Sequence, residues 1–227
     1  VMLAGCAGAP KDSSASSSST STSQSDAEPI TITNCGQKVT LNKPATRAVT
    51  LNQGATEDVL AIGGESKLAG TAYLDSEIPE KWKKAYNSVK VLSKKYPPKE
   101  TFLSAKPDLA VSSYSSAFTD KAVGTREELK KQGIATYISP FECPKGTPSA
   151  EATWENVWKE MAEVGTLIGS KDAADKVIAE QRKSLKEITS NKHGSGTSIV
   201  WFDSGDKVPF IGAGHGGPQL LMDAVGA

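Results

Sequence analysis

The chain of 227 residues balances 26 Lys and Arg against 26 Asp and Glu, has only two His, and draws 6% of its residues from the aromatic types. That balance excludes the concentrated basic footprint of a nucleic-acid binder, and no apolar run reaches the ~18 residues of a membrane-spanning helix. Residues 13–25 are almost entirely Ser and Thr, too polar to repay the entropy of ordering, so residues 1–29 read as a tether ahead of the folded part. ITITNCGQKVTL alternates as a hairpin with Asn34-Cys35-Gly36 at its turn. Short β-rich runs then alternate with helical stretches. RAVTLN precedes GATEDVLAIG, LAGTAY precedes PEKWKKAYN, VKVLS precedes KETFLSAK, and PDLAVSS precedes TREELKKQG, with ATYIS after it. Thr125 and Glu128 have capping-box spacing, and Gly133 is placed to end that helix. Five strands in this rhythm predict a parallel sheet wound with helices on both faces, an N-terminal α/β lobe over residues 30–150.

The rhythm breaks after residue 150. Trp154, Val157, Met161, Val164 and Ile168 lie on one helical stripe, and Ala173, Val177, Gln181, Leu185 and Ile188 continue it into a second helix. Residues 151–192 therefore read as linking helices. SIVWFD is a new strand, DKVPFIGAG an extended excursion, and PQLLMDAVG a helix, so residues 193–227 read as the start of a second lobe. One strand and one helix cannot bury a sheet. We expect this second lobe to be cut short, and the chain, which starts at Val1, to be incomplete at its N-terminus as well.

Two resemblances extend the reading. Leu3-Ala4-Gly5-Cys6 resembles the bacterial lipoprotein signal, which implies that Cys6 carries diacylglycerol and anchors the chain to a membrane. With Cys6 so assigned, Cys35 and Cys143 remain, either as two buried thiols or, as export favours, as a disulfide contributing about 4–5 kcal/mol on the chain-entropy model. Pro44-Ala45-Thr46-Arg47-Ala48-Val49, the segment Ala55–Gly63, Lys106-Pro107-Asp108-Leu109-Ala110-Val111 and the segment Leu220–Gly226 stand in order. Together they resemble the solute-binding lipoproteins of ABC importers in the cluster that binds ferric siderophores, haem and cobalamin. NCG at 34–36, TAYLDSEIPEKW and GAGHGGPQLLMDAVGA look closest to an actinobacterial subgroup often named as importers of a deazaflavin cofactor precursor.

The resemblance implies two Rossmann-like lobes joined by a long helix, a ligand held between them, and no chemistry performed on it. It implies a monomer outside the cell membrane of a Gram-positive bacterium, serving an ABC permease and its ATPase. In wound sheets ligands sit beyond the carboxyl ends of the strands. The candidate ligand-binding residues are accordingly Asn52, Gln53, Tyr73, Lys94, Tyr114 and Phe141 on one lobe, with Trp201 and His215 across the cleft. Aromatic walls and lysines suit a flat or bulky ligand carrying oxygen acceptors or anionic charge. Glu57 and Asp223 fall where the family places its acidic permease-docking residues. Each residue has a plainer reading: Tyr73 and Phe141 as packing, Asn52 and Gln53 as helix caps, Lys94 as a solvated loop. With only two His, a zinc or manganese cage is disfavoured, and no G-x-S-x-G elbow, P-loop or G-x-G-x-x-G opening a first helix suggests an enzyme. No cofactor is expected. The expected ligand is a ferric siderophore or a similar iron, tetrapyrrole or cofactor ligand, haem included; a deazaflavin precursor, and a surface adhesin or sensor on the same fold, are the alternatives.

Overall fold

The order of strands follows from a tight turn and four crossovers between parallel strands. In a computed structural model, which describes residues 28–212, 214 and 216–227, β1 (Ile30–Asn34) and β2 (Gln37–Leu41) form an antiparallel hairpin with Asn34 opposite Gln37. Its turn needs left-handed backbone, supplied by Cys35 at φ 47° and Gly36 at φ 72°. The expected lipid-bearing Cys6, the tether and His215 lie outside the described residues.

Next come β3 (Ala48–Leu51), α1 (Gln53–Ala61), β4 (Leu68–Ala72), α2 (Glu80–Asn87), β5 (Val91–Ser93), α3 (Lys99–Ser104), β6 (Leu109–Ser112), α4 (Arg126–Lys131) and β7 (Ala135–Ile138). The five strands pair in parallel in the order β5-β4-β3-β6-β7. All residues of β3 and β6 are buried, as a strand covered on both faces requires. One core packs Val59, Ile62, Tyr137, Leu167 and Ile168 against one face; the other packs Leu51, Phe102, Val123, Leu129 and Ile138 against the opposite face. This is the expected α/β class. The capping box at Thr125 and Glu128 forms as the spacing predicts.

Two family-like segments turn out to be one fastener. The Asp108 carboxylate accepts from the backbone N–H of Thr46 (2.8 Å) and of Arg47 (3.0 Å). The Arg47 guanidinium in turn donates to the carbonyls of Lys106 (3.0 Å) and Ala105. The start of β3 is thereby bolted to the start of β6, the strand beside it.

A second fastener is buried. Arg126 donates to Thr136 Oγ1 at 2.9 Å and to the backbone and side-chain oxygens of Asn34, each at 3.1 Å. Asn34 completes the link by bridging the N–H and C=O of Ile138 at 2.9 and 2.7 Å. Burial among neutral oxygens brings the Arg126 guanidinium down to about 10. One residue further along the hairpin, Cys35 is disulfide-bonded to Cys143, with 5.3 Å between their Cα atoms. The β1–β2 turn is thus tied to both ends of the turn that follows β7.

After β7, α5 (Trp154–Leu167) packs along the sheet and α6 (Lys171–Asn191) runs against α5. At 21 residues α6 is longer than the sequence stripe predicts. It ends in left-handed Lys192. Beyond it, β8 (Phe202–Ser204) and β9 (Phe210–Ile211) form a short antiparallel ribbon, and α7 (Gly217–Val225) packs on α6. The strand expected over SIVWFD is therefore confined to its end, and its apolar residues Val200, Phe202, Phe210 and Ile211 are exposed.

Replacing Asn34 by Leu removes one acceptor of the buried Arg126 and both side-chain partners of the Ile138 peptide. We expect a loss of about 3 kcal/mol in unfolding free energy with the disulfide intact, read from the urea midpoint.

Candidate functional site

The carboxyl ends of all five parallel strands lie at one edge of the sheet. Between β3 and β6 the winding reverses, β4 and β5 going one way and β7 the other, and that reversal opens a crevice. Two residues at this edge adopt left-handed backbone that other side chains avoid: Asn52 after β3 at φ 91° and Tyr73 after β4 at φ 58°. Asn52 is 2% exposed. Its Oδ1 accepts from Ser112 Oγ at 2.7 Å, its Nδ2 donates to Tyr96 Oη at 3.2 Å, and Tyr96 Oη meets Ser116 Oγ at 2.9 Å. Asn52 therefore ties β3, β6 and the loop after β5 together, with its carboxamide turned into the protein.

Gln53 performs a similar service for the loop after β4. Its Oε1 accepts from the N–H of Asp75 (3.0 Å) and Ser76 (2.8 Å), while Nε2 donates to Ser76 Oγ (2.9 Å) and Glu57 Oε1 (2.8 Å). Gly54 follows because space runs out: a Cβ there would stand 2.9 Å from Ser113 Oγ. That hydroxyl accepts from the N–H of Ala55 at 3.0 Å, closing the first turn of α1.

Around these groups lies a cavity of about 480 Å³ lined by Asn52, Gln53, Asp75, Ser113, Tyr114 and Glu142, among others. Tyr114 is 46% exposed at its rim. Partial burial pushes its phenol up first, with the charges of Asp75 and Glu142 adding to the effect. Beside the cavity Tyr73 and Tyr96 meet edge to face at 4.8 Å, and Lys95 Nζ sits 4.8 Å over the Tyr73 ring.

Of the residues singled out in the sequence, Asn52, Gln53 and Tyr114 share this cavity, and Tyr73 stands next to it through Tyr96. Exposed Lys94, half-buried Phe141 and Trp201 are not among its lining residues. The Trp201 carbonyl instead accepts from Gly212 N–H at 3.0 Å within the β8–β9 ribbon. Asp75 and Glu142 line the cavity without having been singled out. They lie three and four residues past the ends of β4 and β7, and the only signal was their place in the loops following Tyr73 and Ser139.

A second, larger cavity of about 750 Å³ lies among α1, α2, α5, α6 and α7, with Trp82, Trp154, Met161, Leu185 and Leu221 in its walls. Glu57 lines it from α1. Asp223 is exposed on α7 and accepts from Gln219 Nε2 at 2.7 Å. Behind the first cavity, Ser139 Oγ donates to Glu160 Oε2 at 3.2 Å and Tyr137 Oη donates to Glu163 Oε2 at 2.7 Å. Burial pushes Glu160 up from 4.5 to about 8, with the negative charge of Asp58 adding to it. Burial also pushes Asp58 up from 3.8 to about 7, helped by Glu57. Among the described residues no group of three or more His, Cys, Asp or Glu is placed to hold a metal ion, and no helix is long and apolar enough to cross a membrane.

The comparisons with known proteins agree with one another. Residues 49–227 match the model of the family described as periplasmic binding protein. A curated relative, the uncharacterized ABC transporter substrate-binding lipoprotein YvrC of Bacillus subtilis (strain 168), is 28% identical over 192 residues. The match covers 83% of this chain and 54% of the relative, so the chain spans about half the relative's length. A solved periplasmic binding protein from Veillonella parvula superposes with a TM-score of 0.74 at 29% identity, covering 88% of this chain and 66% of that one. The ABC-type Fe3+-hydroxamate transport system protein of Saccharomonospora viridis superposes at 0.61 and 22% identity over 77% of this chain and 60% of its own, which shows the fold alone.

The raised carboxylates set a pH dependence. A folded chain that holds protons on Glu160 and Asp58 more tightly than the unfolded chain does is most stable at low pH. It loses that contribution as pH climbs through the raised values. We expect the unfolding free energy to fall by on the order of 2 kcal/mol between about pH 5 and about pH 8. Glu160→Gln should flatten that slope in urea titrations at a series of pH values.

Proposed function

This chain belongs to the periplasmic binding protein family, and we propose that it is the solute-binding lipoprotein of an ABC importer, capturing a ferric siderophore or similar ligand between two lobes. The observation that carries this reading is the cavity at the winding reversal, lined by Tyr114 and by hydroxyl, amide and carboxylate groups, with the Tyr73–Tyr96 pair beside it. Bulky ligands with apolar faces and many oxygen atoms need this mixture: flat rings for area, and a few fixed polar groups for orientation.

In the proposed cycle the first lobe supplies a pre-formed wall. Asn52 and Gln53 hold the loops, Tyr114 and Tyr73 offer ring faces, and Ser113 and Ser139 offer hydroxyls. The lobe entered through β8 and α7, with Trp201 and His215 in it, closes from the other side about the stiff α5–α6 pair. Glu57 and Asp223 pair with basic residues of the permease. Cys6 holds the protein by lipid on the outer face of the cell membrane, and the Ser/Thr segment gives it reach. The ligand is bound and released unchanged.

Protein purified from its own host should show a ferric charge-transfer band in the visible and a native mass above that of the chain. Colourless protein at bare mass, even after growth in iron-poor medium, contradicts the siderophore reading. Glu57→Gln, which keeps an acceptor for Gln53 Nε2 while removing the charge, should keep ligand affinity within about twofold and abolish ligand-stimulated ATP hydrolysis by the reconstituted importer, because the charge is needed only at the permease contact.

A further inference from the structure

We infer that the first-lobe wall of this cleft selects a ligand turning cationic or N–H/O–H donor groups toward Asp75 and Glu142, and rejects polyanions. The inference rests on the proposed function and narrows its ligand class. It reverses the expectation of acceptor or anionic ligands raised by Lys94 and Lys95.

Three observations carry it. Asp75 and Glu142 enter the cavity from two different loops, after β4 and after the turn at Pro140, and no Lys or Arg is among the lining residues. Both carboxylates act on the same phenol, that of Tyr114, so their charges converge at one place on the rim. Among the described residues neither takes part in an ion pair, whereas lysines elsewhere on the surface pair with acids. Lys95 Nζ is placed over the Tyr73 ring, beside the cavity and not in its lining.

The opposing influence is the amino end of α1, which points its partial positive charge at the same edge. That end amounts to about half a unit charge, and one of its N–H groups is already taken by Ser113 Oγ. Two full negative charges at the rim outweigh it. The placement of both acids is also built. Gln53 clamps the Asp75 loop through two backbone N–H groups, and the Cys35–Cys143 disulfide anchors the residue after Glu142. An anionic tris-catecholate complex would meet uncompensated like charge here, while a neutral or cationic ferric trihydroxamate would find acceptors for its amide and ammonium protons.

The test titrates the whole protein from its host, stripped of ligand, with two ferric complexes read by tryptophan quenching: cationic ferrioxamine B and the trianionic ferric tris-catecholate of enterobactin. We expect the cationic complex to bind at least about tenfold more tightly, and the double variant Asp75→Asn, Glu142→Gln to remove most of that preference while the circular dichroism spectrum stays unchanged. Equal or tighter binding of the trianion, or a preference untouched by the double variant, overturns the charge assignment and leaves the importer reading standing. Binding of neither complex overturns both.

Discussion

Much of the carboxyl edge of the sheet depends on one carboxamide. Asn52 follows the central strand in a left-handed conformation and spends its side chain on Ser112 of the neighbouring strand and Tyr96 of the loop beyond. A buried amide so placed must be satisfied, and here the groups that satisfy it belong to two separate segments, β6 and the loop after β5. The result is a fixed floor, on which Tyr96 positions Tyr73 and Ser112 holds the backbone of Tyr114 at 3.2 Å. Without that floor the strand ends would carry the same residues in no particular arrangement.

The opposite edge and the flank are held by different chemistry. At the amino ends of β3 and β6, the Asp108 carboxylate accepts from the backbone of Thr46 and Arg47 while the Arg47 guanidinium donates to the carbonyls of Lys106 and Ala105, which sets the two central strands side by side. On the flank, Arg126 and Asn34 hold the hairpin turn against β7, and the disulfide fixes the loop that carries Glu142. The winding reversal sits between β3 and β6, the pair that Asp108 and Arg47 hold at its amino ends and Asn52 at its carboxyl ends. Rigidity at the proposed ligand wall, and a stiff α5–α6 pair behind it, suit the proposed closure by moving lobes rather than by remolding a wall.

The fold was largely legible in the sequence, because short apolar runs broken by helical stripes admit few architectures. The capping box and the hairpin turn rested on local spacing, the cysteine pair on the assignment of Cys6 to lipid and on export. Site residues were legible by position and less so by role. Asn52 and Gln53 stand at the edge as expected, yet hydrogen bonding turns the first wholly inward and commits the second to a neighbouring loop. Lys94 and Phe141 share the edge's chain positions but not its cavity, since the backbone after each strand decides which way a side chain leaves, and Trp201 stands before β8 in a separate ribbon. Asp75 and Glu142 reach the cavity only because their loops are clamped by contacts far away in sequence, a property no spacing rule encodes. The exposed apolar face of β8 and β9 escaped notice for a related reason: burial of a strand depends on the elements packed upon it.

The central claim is that ligand is met at the strand ends of the first lobe, and hydrogen exchange tests it most directly. Amide exchange would be followed by mass spectrometry in the ligand-free protein and in the protein holding the ligand purified with it. The account predicts slowed exchange in peptides spanning residues 73–76, 112–116 and 139–142, with little change along the helices around the larger cavity. Protection confined to α1, α2 and α7, with those three loops unaffected, would contradict it.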